Sequence, residues 1–206
     1  MPGAGERSQF GDLAVSDNGA VYASDASGGV WRLKAGAGAL ERLLAPGGIG
    51  SPQGLAVCPG GRALLVADYS SGLHRLDLET GELVALQGLM AGLAGTDGLV
   101  AAAGFRFTSR AASSGAFAVV ATQNGATPQR VVLLRINRNC TELEQAEPVA
   151  ANHPGVDDLT HVAVDGTTVT FVGHARWAAR AQDLTLARPD PGPILLFSAP
   201  LPQPLW

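Results

Sequence analysis

Of the 206 residues, 27 are glycine and 13 proline, 46% are hydrophobic and 16% charged, and the formal net charge is −4. Glycine and proline at this density disfavour long helices, while the ordinary apolar fraction and small net charge exclude bulk disorder and leave enough material for a packed core. Scattered arginines in an acidic chain with a single lysine, Lys34, offer no electrostatic footprint for nucleic acid.

The first residues, Met1 to Arg7, lack the basic and then apolar profile of a signal peptide, so a cytoplasmic location is the default expectation. From Gly11 to Leu33 the sequence GDLAVSDNGAVYASDASGGVWRL reads as three short apolar runs separated by the turns Asp17-Asn18-Gly19 and Ser27-Gly28-Gly29. Glycine and asparagine at those places supply the positive φ angles that tight hairpins require. A fourth strand is expected at 40–44. The pattern then recurs: QGLAVCPGGRALLVADYSSGLHRL, Gln53 to Leu76, matches the first copy at Leu13/Leu55, Ala14/Ala56, Val15/Val57, Asp25/Asp68, Gly29/Gly72 and Leu33/Leu76, with an outer strand at 83–86. The two aspartates, repeated in register at the end of the second strand, read as turn caps. Cys58 falls within this copy; with Cys140 it makes only two cysteines, too few for a disulfide framework and in no metal-ligand spacing, so both are expected to be inert.

The least polar window, residues 88–105, contains Asp97 and several glycines and reads as a buried strand and turn, with no membrane contact expected. A third copy starts at Thr96-Asp97-Gly98-Leu99, carries an insertion around 105–115, and continues through Ala116 to Thr122, the turn Gln123-Asn124-Gly125 and Arg130 to Ile136. In this alignment Asn124 occupies the slot of Asp25 and Asp68. A fourth copy starts at Asp157-Asp158-Leu159, runs through Val162 to Val164, turns at Asp165-Gly166, continues through Thr168 to Val172 and ends at Ile194 to Ser198; the stretch between Arg176 and Pro193 reads as a loop. His153, His161 and His174 match no metal-ligand motif on one element. A four-stranded antiparallel unit repeating every 40 to 45 residues is the signature of a β-propeller blade. The expected fold is therefore all-β, one propeller domain with blades at about 11–46, 53–88, 96–150 and 157–201. The last blade lacks an evident outer strand, so open edges and self-association are expected, and the blade count suggests further blades upstream.

The blade starts G-D-L-A-V-S-D-N-G, P-Q-G-L-A-V-C-P-G-G-R-A-L-L-V-A-D-Y and T-D-G-L resemble the gluconolactonase, regucalcin and luciferin-regenerating-enzyme superfamily of six-bladed propellers. Thr122-Gln123-Asn124-Gly125 and His174-Ala175-Arg176-Trp177 are similar to elements of its bacterial branch. The resemblance implies a divalent cation (calcium, zinc or manganese) in the central channel that polarises a small sugar lactone or activates water. It aligns Gly11, Gln53, Asp97 and Asp157 as equivalent positions. It makes Asp97 the metal ligand and general base, Gln53 a second ligand or substrate contact, and Asp12 and Asn124 substrate contacts. The alternative is a non-catalytic propeller of the NHL type, which shares the same blade rhythm, binding a small ligand or a protein. G-x-S-x-G, H-E-x-x-H and Walker A motifs are absent from the sequence.

Overall fold

The computed structural model describes residues 8–88, 93–105, 107, 115–177 and 192–202. Among these there is no α-helix, and sixteen strands form four small antiparallel sheets arranged as a four-bladed β-propeller. Blade 1 is β1 (Phe10–Val15), β2 (Val21–Asp25), β3 (Gly29–Leu33) and β4 (Glu41–Leu44), hydrogen-bonded in that order. Blade 2 repeats it with β5 (Pro52–Val57), β6 (Ala63–Asp68), β7 (Gly72–Asp77) and β8 (Leu83–Ala85). Blade 3 is β10 (Thr96–Ala101), β11 (Phe117–Gln123), β12 (Arg130–Ile136) and β13 (Glu142–Ala151), with the two-residue β9 (Gln87–Gly88) added in parallel at its outer edge. Blade 4 has three strands, β14 (Val162–Asp165), β15 (Thr168–His174) and β16 (Leu195–Pro200). Most of the expected insertion around 105–115 and of the loop between Arg176 and Pro193 lies outside the described residues.

Local chemistry explains each hairpin. In the β1–β2 turn Asn18 Oδ1 accepts the Ala20 N–H (3.0 Å) and the Ser16 hydroxyl (2.7 Å), and Gly19 takes φ +80, which a side chain would oppose. At the opposite end of the blade Asp25 closes the next turn: its Oδ1 accepts from Gln9 N, Ser27 N and Ser27 Oγ, and its Oδ2 from the indole N–H of Trp31. Burial alone would raise this carboxyl; the bonds from Ser27, Gln9 and Trp31 outweigh it and lower the pKa to about 2. Asp68 does the same in blade 2 with Ser51, Ser70 and Ser71, and its pKa is also lowered against burial. The expected cap is thus a repeated structural device. Its third member is Gln123, not Asn124: Gln123 pairs with Thr96 as Asp25 pairs with Phe10 and Asp68 with Pro52. The sequence alignment was one residue out because the glutamine, a longer neutral side chain, does not look like the aspartates it replaces.

The blades pack in chain order, β1 beside β5, β5 beside β10 and β10 beside β14, and three apolar clusters fill the three junctions. Leu55 and Leu64 of blade 2 lie against Ala14, Tyr22 and Val30 of blade 1. Leu99 and Val119 of blade 3 lie against Ala56, Leu65 and Leu73 of blade 2, and Val169 and Phe171 of blade 4 against Val120 and Leu133 of blade 3. The strands are therefore nearly continuous runs of Val, Leu and Ala wherever both sheet faces are covered.

The cysteines are not inert, which corrects the reading from spacing. Cys58, at the start of the β5–β6 turn, and Cys140, in the β12–β13 turn, are 6.3 Å apart at Cα and form a disulfide between blades 2 and 3. The two turns meet because β9 leaves blade 2 and pairs with β13, and the Gln87 N–H donates to the Thr141 carbonyl. A contact spanning 82 residues has no signature in local spacing. Cys140 adopts φ +56, a conformation usually left to glycine or asparagine.

Among the described residues the outward faces of blades 1 and 4 have no such neighbours. Of the ten exposed large hydrophobic residues among those described, six are Phe10, Leu13 and Val15 on β1 and Ile194, Leu195 and Leu196 at β16.

Candidate functional site

The four inner strands β1, β5, β10 and β14 border a cavity of about 550 Å³. Its walls are short apolar side chains such as Ala56, Val100 and Val162, with Asp12 at one end and turn residues such as Ser16, Asp17 and Gly60 at the other. The register of the inner hairpins defines equivalent positions around the cavity. Leu13 pairs with Ala23, Leu55 with Val66, Leu99 with Ala121 and Val162 with Phe171. The residues one earlier are Asp12, Gly54, Gly98 and His161; those two earlier are Gly11, Gln53, Asp97 and Thr160.

In blades 1, 2 and 3 the inner strand carries one extra residue at this place, between Phe10 and Leu13, Pro52 and Leu55, and Thr96 and Gly98. Such bulges bend a strand and re-aim its side chains, and they commonly sit beside binding sites. Asp12, Gln53 and Asp97 all lie on them.

Glycine at 54 and 98 is dictated by packing. A Cβ at Gly54 would overlap the backbone of Leu99, and one at Gly98 would lie 2.8 Å from the Thr160 carbonyl oxygen. Blades 1 and 4 have room for side chains there, and they carry an acid and a base: His161 Nδ1 is 3.9 Å from Asp12 Oδ1. Asp12 is anchored by the N–H groups of Leu55 (3.0 Å, to Oδ2) and Leu13 (2.8 Å, to Oδ1). Burial nevertheless pushes its carboxyl above the usual range, against those bonds and the nearby His161.

Asp97 sits beside this pair. Its Oδ2 accepts a hydrogen bond from Asn124 Nδ2 (2.9 Å), which also donates to the Leu159 carbonyl (2.7 Å). Asn124 Oδ1 is buried and has no partner among the described residues. Burial raises the Asp97 pKa; the Thr160 hydroxyl, His161 and Asn124 oppose that rise, and Asp12 adds to it. On the other side of Asp97 is Tyr69, whose phenol is raised by burial and by the charges of Asp97 and Asp158. Asp158 in turn accepts the backbone N–H of the exposed Trp177.

The structure therefore brings Asp12, Asp97 and Asn124 together and leaves Gln53 apart. The Gln53 Nε2 donates to Ser51 Oγ (2.8 Å), and its Oε1 lies over Gly11, which has no side chain to displace it. Asp157 is not at the equivalent position either. The repeat register gives that place to Thr160, and Asp157 pairs with His174 at the blade margin, its side chain 64% exposed. His153 stacks edgewise on Phe197, 4.9 Å between ring centroids. His161 is the residue that motif spacing missed; aligning Val162–Val164 with Leu13–Val15 would have set it opposite Asp12.

For a divalent cation the oxygen donors at this end are the carboxylates of Asp12 and Asp97 and the Asn124 carbonyl oxygen, while the Gln53 amide nitrogen donates to Ser51. Among the described residues no three His, Cys, Asp or Glu side chains are grouped for a metal. The Asp12 carboxylate already accepts from the N–H groups of Leu13 and Leu55, and the chemistry of the site is followed through its own side chains. No helix of the described residues is long and apolar enough to cross a membrane.

No protein-family model matches the chain, and no curated protein matches it. Among solved structures it is similar to a luciferin-regenerating enzyme, at 12% identity and TM-score 0.56 over 87% of this chain and 57% of that one. It is also similar to the WD40 repeats of RRP9, at 12% identity and TM-score 0.52 over 82% of this chain and 46% of that one. A third neighbour is virginiamycin B lyase from Staphylococcus aureus, at 14% identity and TM-score 0.49, over 83% of this chain and 64% of that one. The chain thus spans about half to two thirds of the length of these neighbours, and the first two, at identities this low, show a shared propeller fold and nothing finer.

Proposed function

We propose that the chain binds a small, hydroxyl-rich molecule at the Asp12, Asp97 and His161 end of the cavity between its inner strands. The observation that carries this reading is the pair of partly buried carboxylates, both held above their ordinary pKa beside a histidine, with Asn124 Oδ1, unpartnered among the described residues, next to them. Groups so placed accept hydrogen bonds from a ligand's hydroxyls, and buried polar atoms that lack a partner gain most from one. Tyr69 and Trp177, exposed beside this end, offer aromatic faces for the apolar side of a sugar ring.

A hydrolytic use of the same site, opening a small sugar lactone, is favoured by one feature. Burial shifts Asp97 upward, toward the range in which a carboxylate takes a proton from water efficiently near neutral pH. In that reading Asp97 accepts the proton of the attacking water, and Asn124 orients its carboxylate. A divalent cation, if bound by Asp97 and Asn124, would supply polarisation of the lactone carbonyl.

The test is a panel of neutral sugars and sugar lactones, scored for binding by ligand-observed NMR and for ring opening by acid release, with and without calcium, zinc or manganese. Saturable binding that weakens at least tenfold in Asp97→Asn is the expected result. No binding to any member, or binding that Asp97→Asn leaves intact, overturns the reading. Binding without ring opening under every metal condition removes the hydrolytic use alone.

A further inference from the structure

We propose that a second copy of this chain covers the exposed face of blade 1, using the exposed face of its own blade 4. The two faces are the two halves of a contact that the chain already makes three times within itself. At each internal junction the later blade contributes the row led by Leu55, Leu99 or Val162, and the earlier blade contributes the opposite face of its sheet. Leu13 belongs to the first kind of row by strand register, since it pairs with Ala23 as Leu55 pairs with Val66 and Leu99 with Ala121. Leu55 and Leu99 are 2% and 3% exposed; Leu13 is 65% exposed.

Blade 4 presents the second kind of face. Val162, Val164, Phe171 and Phe197 are spent against blade 3, so their alternates Thr170, Val172, Leu196 and Ser198 point the other way. Thr170 and Ser198 share one hydrogen bond across the strands at 3.0 Å, beside Val172 and Leu196, which is 67% exposed. That bond lowers the cost of burying the two hydroxyls. Blade 1 offers Leu13 and Val15 with Trp31 behind them, the indole held by Asp25 and covered by Phe10 and Arg42. One exposed row of large aliphatics faces the alternate row of a neighbouring sheet, as at the internal junctions. Blade-to-blade packing continues from one copy to the next, and such a head-to-tail contact either closes into a ring or extends.

The experiment is sedimentation velocity on the full chain from micromolar to about 100 µM, comparing wild type with Leu13→Glu, Leu196→Glu and their equimolar mixture. Both leucines are solvent-exposed in the single chain, so the variants are expected to fold, and near-UV circular dichroism checks this; Val15→Ser is a milder second probe of the blade 1 face. Wild type should sediment at a multiple of the 21.0 kDa chain mass, and each single variant as a monomer. The mixture should recover a dimer, because the Leu196 face of one variant and the Leu13 face of the other remain intact. A monomeric wild type, association that survives either variant, or a mixture that stays monomeric overturns the proposal. Survival in Leu196→Glu alone would identify a like-with-like contact of blade 1 in its place.

Discussion

Leu13 and Leu55 occupy the same position in the same repeat, on the same strand of consecutive blades, yet Leu13 is 65% exposed and Leu55 2%. The strand, its pairing and its bulge are the same in both places, so the repeat by itself builds the blade. What differs is the neighbour. Blade 2 lies between two sheets and its strand β6 is buried along its whole length, whereas blade 1 has a sheet on one side only. A propeller blade is thus a unit of secondary structure whose stability comes from the units on either side of it, as in other repeat architectures.

The largest expected effect lies at the interior junction between blades 2 and 3. Reducing the Cys58–Cys140 bond, or replacing both cysteines by serine, frees a loop with a sequence separation of 82, for which loop-closure entropy predicts a loss of about 4 kcal/mol. The difference between oxidised and reduced protein in urea unfolding measures it; equal midpoints would show that the junction holds without the staple.

A pair of matched truncations addresses the comparison directly. Leu55→Ala empties a buried site and should cost about 3 kcal/mol, while Leu13→Ala should cost under about 1 kcal/mol in the monomer, as exposed positions do. Chemical denaturation below and above the concentration at which the chain associates separates the terms: a Leu13→Ala cost that grows with concentration marks this leucine as part of the contact between copies. Equal costs for both leucines in the monomer would contradict the difference in burial.

The smallest effects set two aspartates against each other, Asp25 in terminal blade 1 and Asp97 in interior blade 3. Asp25 has its folded pKa lowered to about 2, so its ionised form stabilises the protein above the unfolded pKa, and that contribution fades as pH falls toward 2. Asp25→Asn should therefore cost about 2 kcal/mol at pH 7 and little near pH 2. Asp97 has its folded pKa raised. Its ionised form opposes folding at neutral pH, and protonation relieves the cost as pH falls through the folded pKa toward the unfolded value. Asp97→Asn should then stabilise the protein slightly at pH 7, with the advantage disappearing in acid, while it weakens ligand binding. Stability curves of the two variants from pH 2 to 8 test the opposite signs; parallel curves would contradict the assignment.

Much of the fold was legible because turn chemistry and apolar alternation are local. Asp17-Asn18-Gly19 declares its hairpin, and Leu13 to Val15 and Leu55 to Val57 declare matching strands. The candidate site was less legible. Asp12 of blade 1 meets Asp97 and Asn124 of blade 3 in space, which no local pattern shows, whereas the Gln53 amide bonds only two residues away, to Ser51. His161 was missed because Asp157 was aligned at the place that strand register gives to Thr160, the residue before His161. Gln123 was passed over for Asn124 because a neutral cap resembles neither Asp25 nor Asp68.

The sequence by itself determined the strand, the turn and their repetition, since backbone conformation and hydrogen bonding in a hairpin are settled within some twenty residues. Only the tertiary structure decided that Cys58 meets Cys140, that Gly54 and Gly98 yield their places to Asp12 and His161, and that Leu13 is left outside where Leu55 is covered. Each of these depends on which blade lies beside which. That proximity follows from packing whole sheets face to face, and no local pattern of residues encodes it.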